Sequence, residues 1–251
     1  MRYVPRTDLA PDVQQDLDRR QADVDRKRIE GELNVPREWK KARDTATLRA
    51  VLAALREMMG ERERCMYCLD SHGTDIEHFW PKTPYPERML RWANLLICCA
   101  ECGRFKSDQF PLLGGNALLV DPTADDPWRY LDFDPDTGNV VARFDTTTNE
   151  WTQKGLETVK ILHLDRREAL AVGYRRTYRR LSSRVAKAAE QSSPDGDELM
   201  ESLREVDDHG LLGWCFRGVG KGHPPFRNLH ERHPAVWAAC VESIPKNLSA
   251  T

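Results

Sequence analysis

The sequence predicts an α+β protein that is mainly helical and carries a small cysteine-stapled centre. Three observations predict it. Apolar residues recur at three- and four-residue spacing over residues 45–59 and 170–185, two Cys-x-x-Cys pairs stand at Cys65/Cys68 and Cys99/Cys102, and a short β-like run, Asp75-Ile76-Glu77-His78-Phe79-Trp80, lies between the pairs.

Taken in order, residues 9–32 read as a highly charged helix with a thin apolar stripe, a solvated or partner-facing element. Residues 45–59 form a better amphipathic helix, with Leu48, Val51, Leu52, Leu55 and Met58 on one face and Gly60 as its stop. The run at residues 75–80 ends at Pro81, which cannot continue a ladder. Residues 121–151 are rich in Asp, Pro, Thr and Gly and predict a hairpin excursion around Val140-Val141-Ala142. Helix returns after Gly155, with Leu170, Tyr174, Tyr178, Leu181 and Val185 on one face and Arg175, Arg176, Arg179 and Arg180 on another. Residues 192–196 make a turn before a helix at 198–207, residues 210–225 read as glycine-rich loop, and 231–244 as a last helix. The expected regions are therefore a helical 1–60, a central 61–130, and a hairpin followed by helices over 131–251.

A chain of 251 residues with 40% hydrophobic residues can bury a core. Its 38 basic and 40 acidic residues give a net charge of −2, which excludes a strongly basic, free-standing nucleic-acid binder. Affinity for nucleic acid has to come from a local patch or a partner. The first residues lack the apolar core of a signal peptide, and no stretch reaches the roughly 18 uncharged residues of a membrane span. No membrane contact and a cytoplasmic location are expected.

Seven cysteines are an odd number, and in a reducing compartment two paired knuckles argue for metal rather than disulfides. Zinc needs four donors at tetrahedral corners, and Cys65-Met66-Tyr67-Cys68 with Cys99-Ala100-Glu101-Cys102 supplies four thiolates from two tight turns. Cys98 is a rival to Cys99 with poorer spacing. Otherwise Cys98, Cys215 and Cys240 read as small buried hydrophobes. A redox dithiol is the competing use of a knuckle, but the thioredoxin-like setting is missing.

Between and after the knuckles stand Glu77-His78-x-x-Pro81, Trp92-Ala93-Asn94-Leu95 and Cys102-Gly103-Arg104-Phe105-Lys106. This arrangement resembles the HNH nuclease family, whose pattern is roughly Cys-x-x-Cys, an acid–His–x–x–Pro, Asn-Leu, and Cys-x-x-Cys-(Asn/His)-x-x-Lys. The resemblance implies a zinc-stapled ββα-metal, treble-clef-like core. It makes His78 the general base and Glu77 the ligand of a catalytic Mg²⁺ or Mn²⁺, with Asn94 bracing the histidine loop and Lys106 and Arg104 touching substrate DNA. Those roles suit the chemistry, because neutral imidazole titrates near roughly pH 6.5 and a hard cation prefers carboxylate oxygen. Successive strand residues face opposite ways, so Glu77 and His78 are expected to straddle a distorted strand end. The alternative for Asn94 is a helix N-cap, and for Lys106 and Arg104 solvated surface.

Gly103 departs from the family pattern, which places Asn or His there to complete the metal site. Asp75, Asp108 or water are the available substitutes. Wider landmarks, Met1-Arg2-Tyr3-Val4-Pro5, Phe110-Pro111, Leu119-Val120-Asp121-Pro122 and Asp125-Asp126-Pro127, look like the HNH subunits of Septu-type and retron-associated anti-phage systems. That likeness implies an ATPase partner, with the four arginines meeting nucleic acid or an acidic partner face. The rival reading is a catalytically silent, zinc-stabilised module that binds nucleic acid or protein. His223, His230 and His233 lack acid or cysteine neighbours, and His163 reads as a packed helical residue.

Overall fold

The computed structural model describes residues 1–245; the last six residues of the expected third region, 246–251, lie outside it. The chain forms two compact units. One comprises Val4–Tyr67 and Ser71–Asn116, and the other Met1–Tyr3, Cys68–Asp70 and the chain from Ala117 on.

In the first unit, helix α1 (Pro11–Ile29) opens with proline at its first position and closes on Arg26, Lys27 and Arg28, cations that favour a helix C-terminus. Its buried stripe is Leu17, Gln21 and Val24, so the thin apolar face is an interior one. Helix α2 (Val35–Arg43) begins where the Asn34 side chain accepts the Arg37 N–H. Helix α3 (Ala46–Met59) is capped by the Thr45 hydroxyl on Leu48 N–H and buries Leu48, Val51, Leu55 and Met59. It ends at Gly60, whose φ of 74° suits a residue without Cβ. Each fully buried aliphatic side chain of that stripe stabilises by about 1.5–3 kcal/mol.

Strand β1 (Asp75–His78) pairs antiparallel with β2 (Leu95–Cys98), in register from Asp75↔Cys98 to His78↔Leu95. Every residue of β2 is buried. Helix α4 (Ala100–Lys106) follows after a single residue, Cys99, which is its N-cap. The short strands β3 (Leu112–Leu113) and β4 (Asn116–Ala117) pair next.

In the second unit the expected excursion is two pairs, β5 (Leu131–Phe133) with β6 (Val140–Ala142) and β7 (Phe144–Asp145) with β8 (Glu150–Trp151). Gly138, with φ of 83°, turns the first of them. A Cβ there would sit 2.1 Å from Ala171 O, so close backbone approach demands glycine. Helices α5 (Gln153–Leu162) and α6 (Glu168–Glu190) follow, α6 burying Leu170, Tyr174, Leu181 and Val185. Then come α7 (Gly196–Val206), α8 (Leu212–Phe216), α9 (Phe226–Arg232) and α10 (Pro234–Ser243).

Three expectations fail here. Within the supposed loop at 210–225, Leu212, Trp214, Cys215 and Phe216 are buried on a helical turn, because apolar burial outweighs the flanking glycines. The last helix is two, broken at His233-Pro234, where proline starts a helix better than it continues one. His163 caps α5 in the left-handed region, φ 52°, rather than packing inside a helix. No helix of the described residues is long and apolar enough to cross a membrane.

Candidate functional site

The four cysteine sulfurs of Cys65, Cys68, Cys99 and Cys102 lie within 4.8 Å of one another, and all four residues are buried. Tetrahedral zinc, with Zn–S near about 2.3 Å, sets sulfurs roughly 3.8 Å apart, so this cluster can close around the ion. Backbone bonds shape the first knuckle: Cys65 N–H donates to Ser71 O at 2.9 Å and Met66 N–H to Ile97 O at 3.0 Å, the second tying the turn to β2. Tyr174 OH donates to Cys68 O at 3.2 Å. The second knuckle coincides with the start of α4, where Cys102 N–H points at Cys99 Sγ at 3.4 Å.

Cys98, the rival ligand, is not in this group. It ends β2 and is buried instead beside Gly103, and a Cβ added to that glycine would meet Cys98 Sγ at 3.2 Å and Glu77 Oε2 at 3.8 Å. Burial, reinforced by the Glu77 carboxylate, holds the Cys98 thiol protonated. The space beside Gly103 is therefore shared by a thiol and one carboxylate oxygen.

Contrary to the expectation of a distorted strand end, β1 is regularly paired through His78, which sends the Glu77 and His78 side chains to opposite faces. Glu77 Oε1 accepts from Lys106 Nζ at 2.7 Å, while Oε2 faces the Gly103 side. Burial pushes the Glu77 carboxyl up, and Lys106 opposes that shift.

Lys106, read from the sequence as a substrate contact, is completely buried, and its ammonium also donates to His78 O at 2.7 Å. One cation thus bridges the side chain of Glu77 and the backbone of His78. Arg104, on the same helix, is exposed.

His78 is 4% exposed, with its ring meeting the Trp39 ring edge-on, centroids 4.5 Å apart. Its Nε2 stands 3.0 Å from Met89 O. A carbonyl only accepts, so Nε2 carries the proton and Nδ1 keeps a lone pair. Burial first, then the charge of Lys82, lowers the ring pKa to about 3, so the imidazole is neutral at physiological pH.

Asn94 is a brace rather than a helix cap. Its Oδ1 accepts Trp80 N–H at 2.7 Å, and its Nδ2 donates to Trp80 O at 3.0 Å and Arg88 O at 2.9 Å. All of this holds the segment after His78 against the turn before β2.

Sequence reasoning missed the supports from the N-terminal segment. Arg6 donates to Trp92 O at 2.9 Å and Leu95 O at 3.0 Å, its guanidinium lying over the Trp92 ring. Gln21 is buried and reaches Pro86 and Leu90. The signal for Gln21 was present, a polar residue on the one interior stripe of a charged helix. Also unanticipated is a buried chain in the second unit, with His209 Nε2 3.2 Å from Asp70 Oδ1 and Nδ1 2.8 Å from Thr177 Oγ1.

Other candidates disperse. Of the four arginines on α6, Arg180 pairs with Asp208 and Arg175 donates to Asp136 O, leaving Arg176 and Arg179 on the exposed face. Asp75 and Asp108 are exposed. Among the described residues the four cysteines form the one cluster of potential metal ligands, and His223, His230 and His233 do not join it.

These features define a class: an α+β protein in which a two-stranded ladder and the helix after it adjoin a four-cysteine cluster able to hold zinc. No protein-family model matches the chain. It is 31% identical over 126 residues to the Septu protein PtuB of Bacillus thuringiensis, covering 47% of this chain and 42% of that protein. Over 136 residues it is 31% identical to the Septu protein PtuB of Bacillus mycoides (strain KBAB4), covering 42% and 44%. The chain thus matches less than half the length of these curated relatives.

Proposed function

We propose that this chain is a zinc-stapled HNH endonuclease that hydrolyses phosphodiester bonds of DNA, acting in anti-phage defence under the control of an ATPase partner. The observation that carries the reading is His78: a buried, neutral imidazole on the last residue of β1, with its proton held on Nε2 by Met89 O. That arrangement leaves the lone pair on Nδ1, and because burial weakens the ring as a base, taking a proton from water requires the cover over His78 to open. The β1–β2–α4 order, the four-cysteine cluster and the Asn94 brace agree with the core that the family resemblance implies. The Septu likeness supports the defence setting and the partner.

In this reading Glu77 Oε2 is the oxygen offered to a Mg²⁺ or Mn²⁺ ion, and the end of β1 has to turn for Glu77 and His78, which face opposite ways on the paired strand, to reach one phosphate. A single carboxylate suits such an ion, which retains several waters and takes substrate phosphate oxygens as further ligands. Bound there, the ion would neutralise charge developing on the phosphate. Lys106 holds Glu77 Oε1 and the His78 carbonyl, so it sets the carboxylate's orientation instead of meeting DNA, and the phosphate contact falls to exposed Arg104. The burial of His78 under Trp39 favours a nuclease kept quiet until its partner acts.

Gly103 and the Glu77–Lys106 ion pair favour a second reading, a silent zinc-stabilised binding module. Divalent-cation titration separates the two. Supercoiled plasmid is incubated with the chain over a range of Mn²⁺ and Mg²⁺, with and without the ATPase. The nuclease reading expects nicking that requires the cation and that Glu77→Gln lowers by about 100-fold. Plasmid bound but uncut under every condition would establish the binding module.

A further inference from the structure

We infer that Gln21, on α1, is a positioning residue for His78, acting through the single peptide unit that joins Met89 to Leu90. The inference rests on the proposed role of His78 as base. The carbonyl that holds His78 Nε2 at 3.0 Å and the Leu90 N–H belong to the same planar amide. That N–H donates to Gln21 Oε1 at 2.6 Å. The Gln21 amide is itself fixed from its other end, with Nε2 donating to Pro86 O at 3.0 Å and to Asp25 Oδ1 at 2.9 Å.

Two consequences follow from the planarity of the amide. Holding its N–H fixes the direction of its C=O, and with it the line along which the imidazole can donate. Donation by the N–H also draws electron density onto the carbonyl oxygen, strengthening it as an acceptor by about 10–30% for a hydrogen-bonded chain. Asn94 Nδ2 grips the preceding carbonyl, Arg88 O, at 2.9 Å, so the amide is held on both sides. Trp39 restrains the ring itself.

A purely packing role would be better served by leucine. Gln21 is fully buried between apolar Leu17 and Val24, and a buried amide without partners costs about 1–3 kcal/mol. Its hydrogen bonds all go to Asp25 and to the segment that presents Met89. The Nε2–H tautomer of His78, the form with its lone pair on Nδ1, is thereby selected from a helix some 57 residues away in sequence.

The test reads the tautomer directly, from the ring ¹⁵N shifts of His78 in the zinc-loaded full chain at neutral pH. Wild type should show one Nε2–H tautomer and Gln21→Met a mixture of both. Gln21→Met with full zinc and an unchanged single tautomer would overturn the inference. Should Gln21→Met not fold, amide exchange in wild type decides. Leu90 N–H should be strongly protected although it belongs to no helix or strand, and exchange at the rate of an open loop would contradict the inference. In cleavage assays Gln21→Met should lower kcat about tenfold with KM unchanged. A wild-type chain that never cleaves DNA would remove the role of His78 while leaving the tautomer result to stand or fall alone.

Discussion

The segment from Cys65 to Lys106 and the helical segment from Glu168 to Ser243 are held by different physics. The first is secured by directional bonds to buried polar groups: Asn94 to Trp80 and Arg88, Lys106 to Glu77 and His78 O, and four thiols around one point. The second is secured by apolar and aromatic packing, with Phe133 against Trp214 and Phe216 against Phe226 and Trp237. A directional bond depends on one atom in one place, whereas packing depends on volume and tolerates any side chain of similar shape. Substitution in the first segment should therefore be severe and specific, and in the second graded by the volume removed.

The largest effect sharpens that contrast. Cys65→Ser should abolish stoichiometric zinc and the cooperative melting of the first unit, checked by metal analysis and calorimetry, because a structural site contributes folding energy outright. Trp214→Ala, at a nearly fully buried position, should cost about 3–5 kcal/mol in denaturant unfolding while leaving zinc content unchanged. A similar loss for Lys106→Met, about 3–5 kcal/mol, would arise from two fewer hydrogen bonds and a buried carboxylate left without its cation, not from volume. If Lys106→Met were neutral, the segment would be packed rather than bonded, and the comparison would break. Asn94→Ala should cost about 1–3 kcal/mol, with the increased amide exchange confined to Trp80 and its neighbours.

The smallest effect tests α1 against α2. The Lys27 and Lys41 ammonium groups hold the Glu38 carboxyl below its ordinary value. A carboxylate depressed on folding contributes stability that is complete above its unfolded pKa and is lost as pH falls through the folded one. Glu38→Gln should thus destabilise by about 0.5–1 kcal/mol at pH 7, with the difference from wild type vanishing in acid titration.

How far each segment was legible follows from the same contrast. The four cysteines were readable because metal chemistry fixes residue type and spacing together, and α3 because Thr45, the apolar stripe and Gly60 all agree. The burial of Lys106 was not readable, since a lysine four residues past a cysteine looks the same on a surface as in a core. Nor was Arg6, whose partners are backbone atoms about 86–89 residues away and leave no pattern in the sequence. Leu212–Phe216 was lost because flanking glycines look like loop, while burial decides the backbone. Gly103 was visible as a departure, but only the structure shows that Cys98 and Glu77 line the space it leaves.

The central claim, that His78 is a base for phosphodiester hydrolysis, is tested most directly by nicking of supercoiled plasmid with Mg²⁺ or Mn²⁺, with the proposed ATPase partner present, comparing wild type with His78→Ala at equal zinc content. The account predicts nicking by wild type and a loss of at least about 100-fold in the variant, whose zinc and melting remain those of a folded protein. Equal nicking by the two proteins would contradict it.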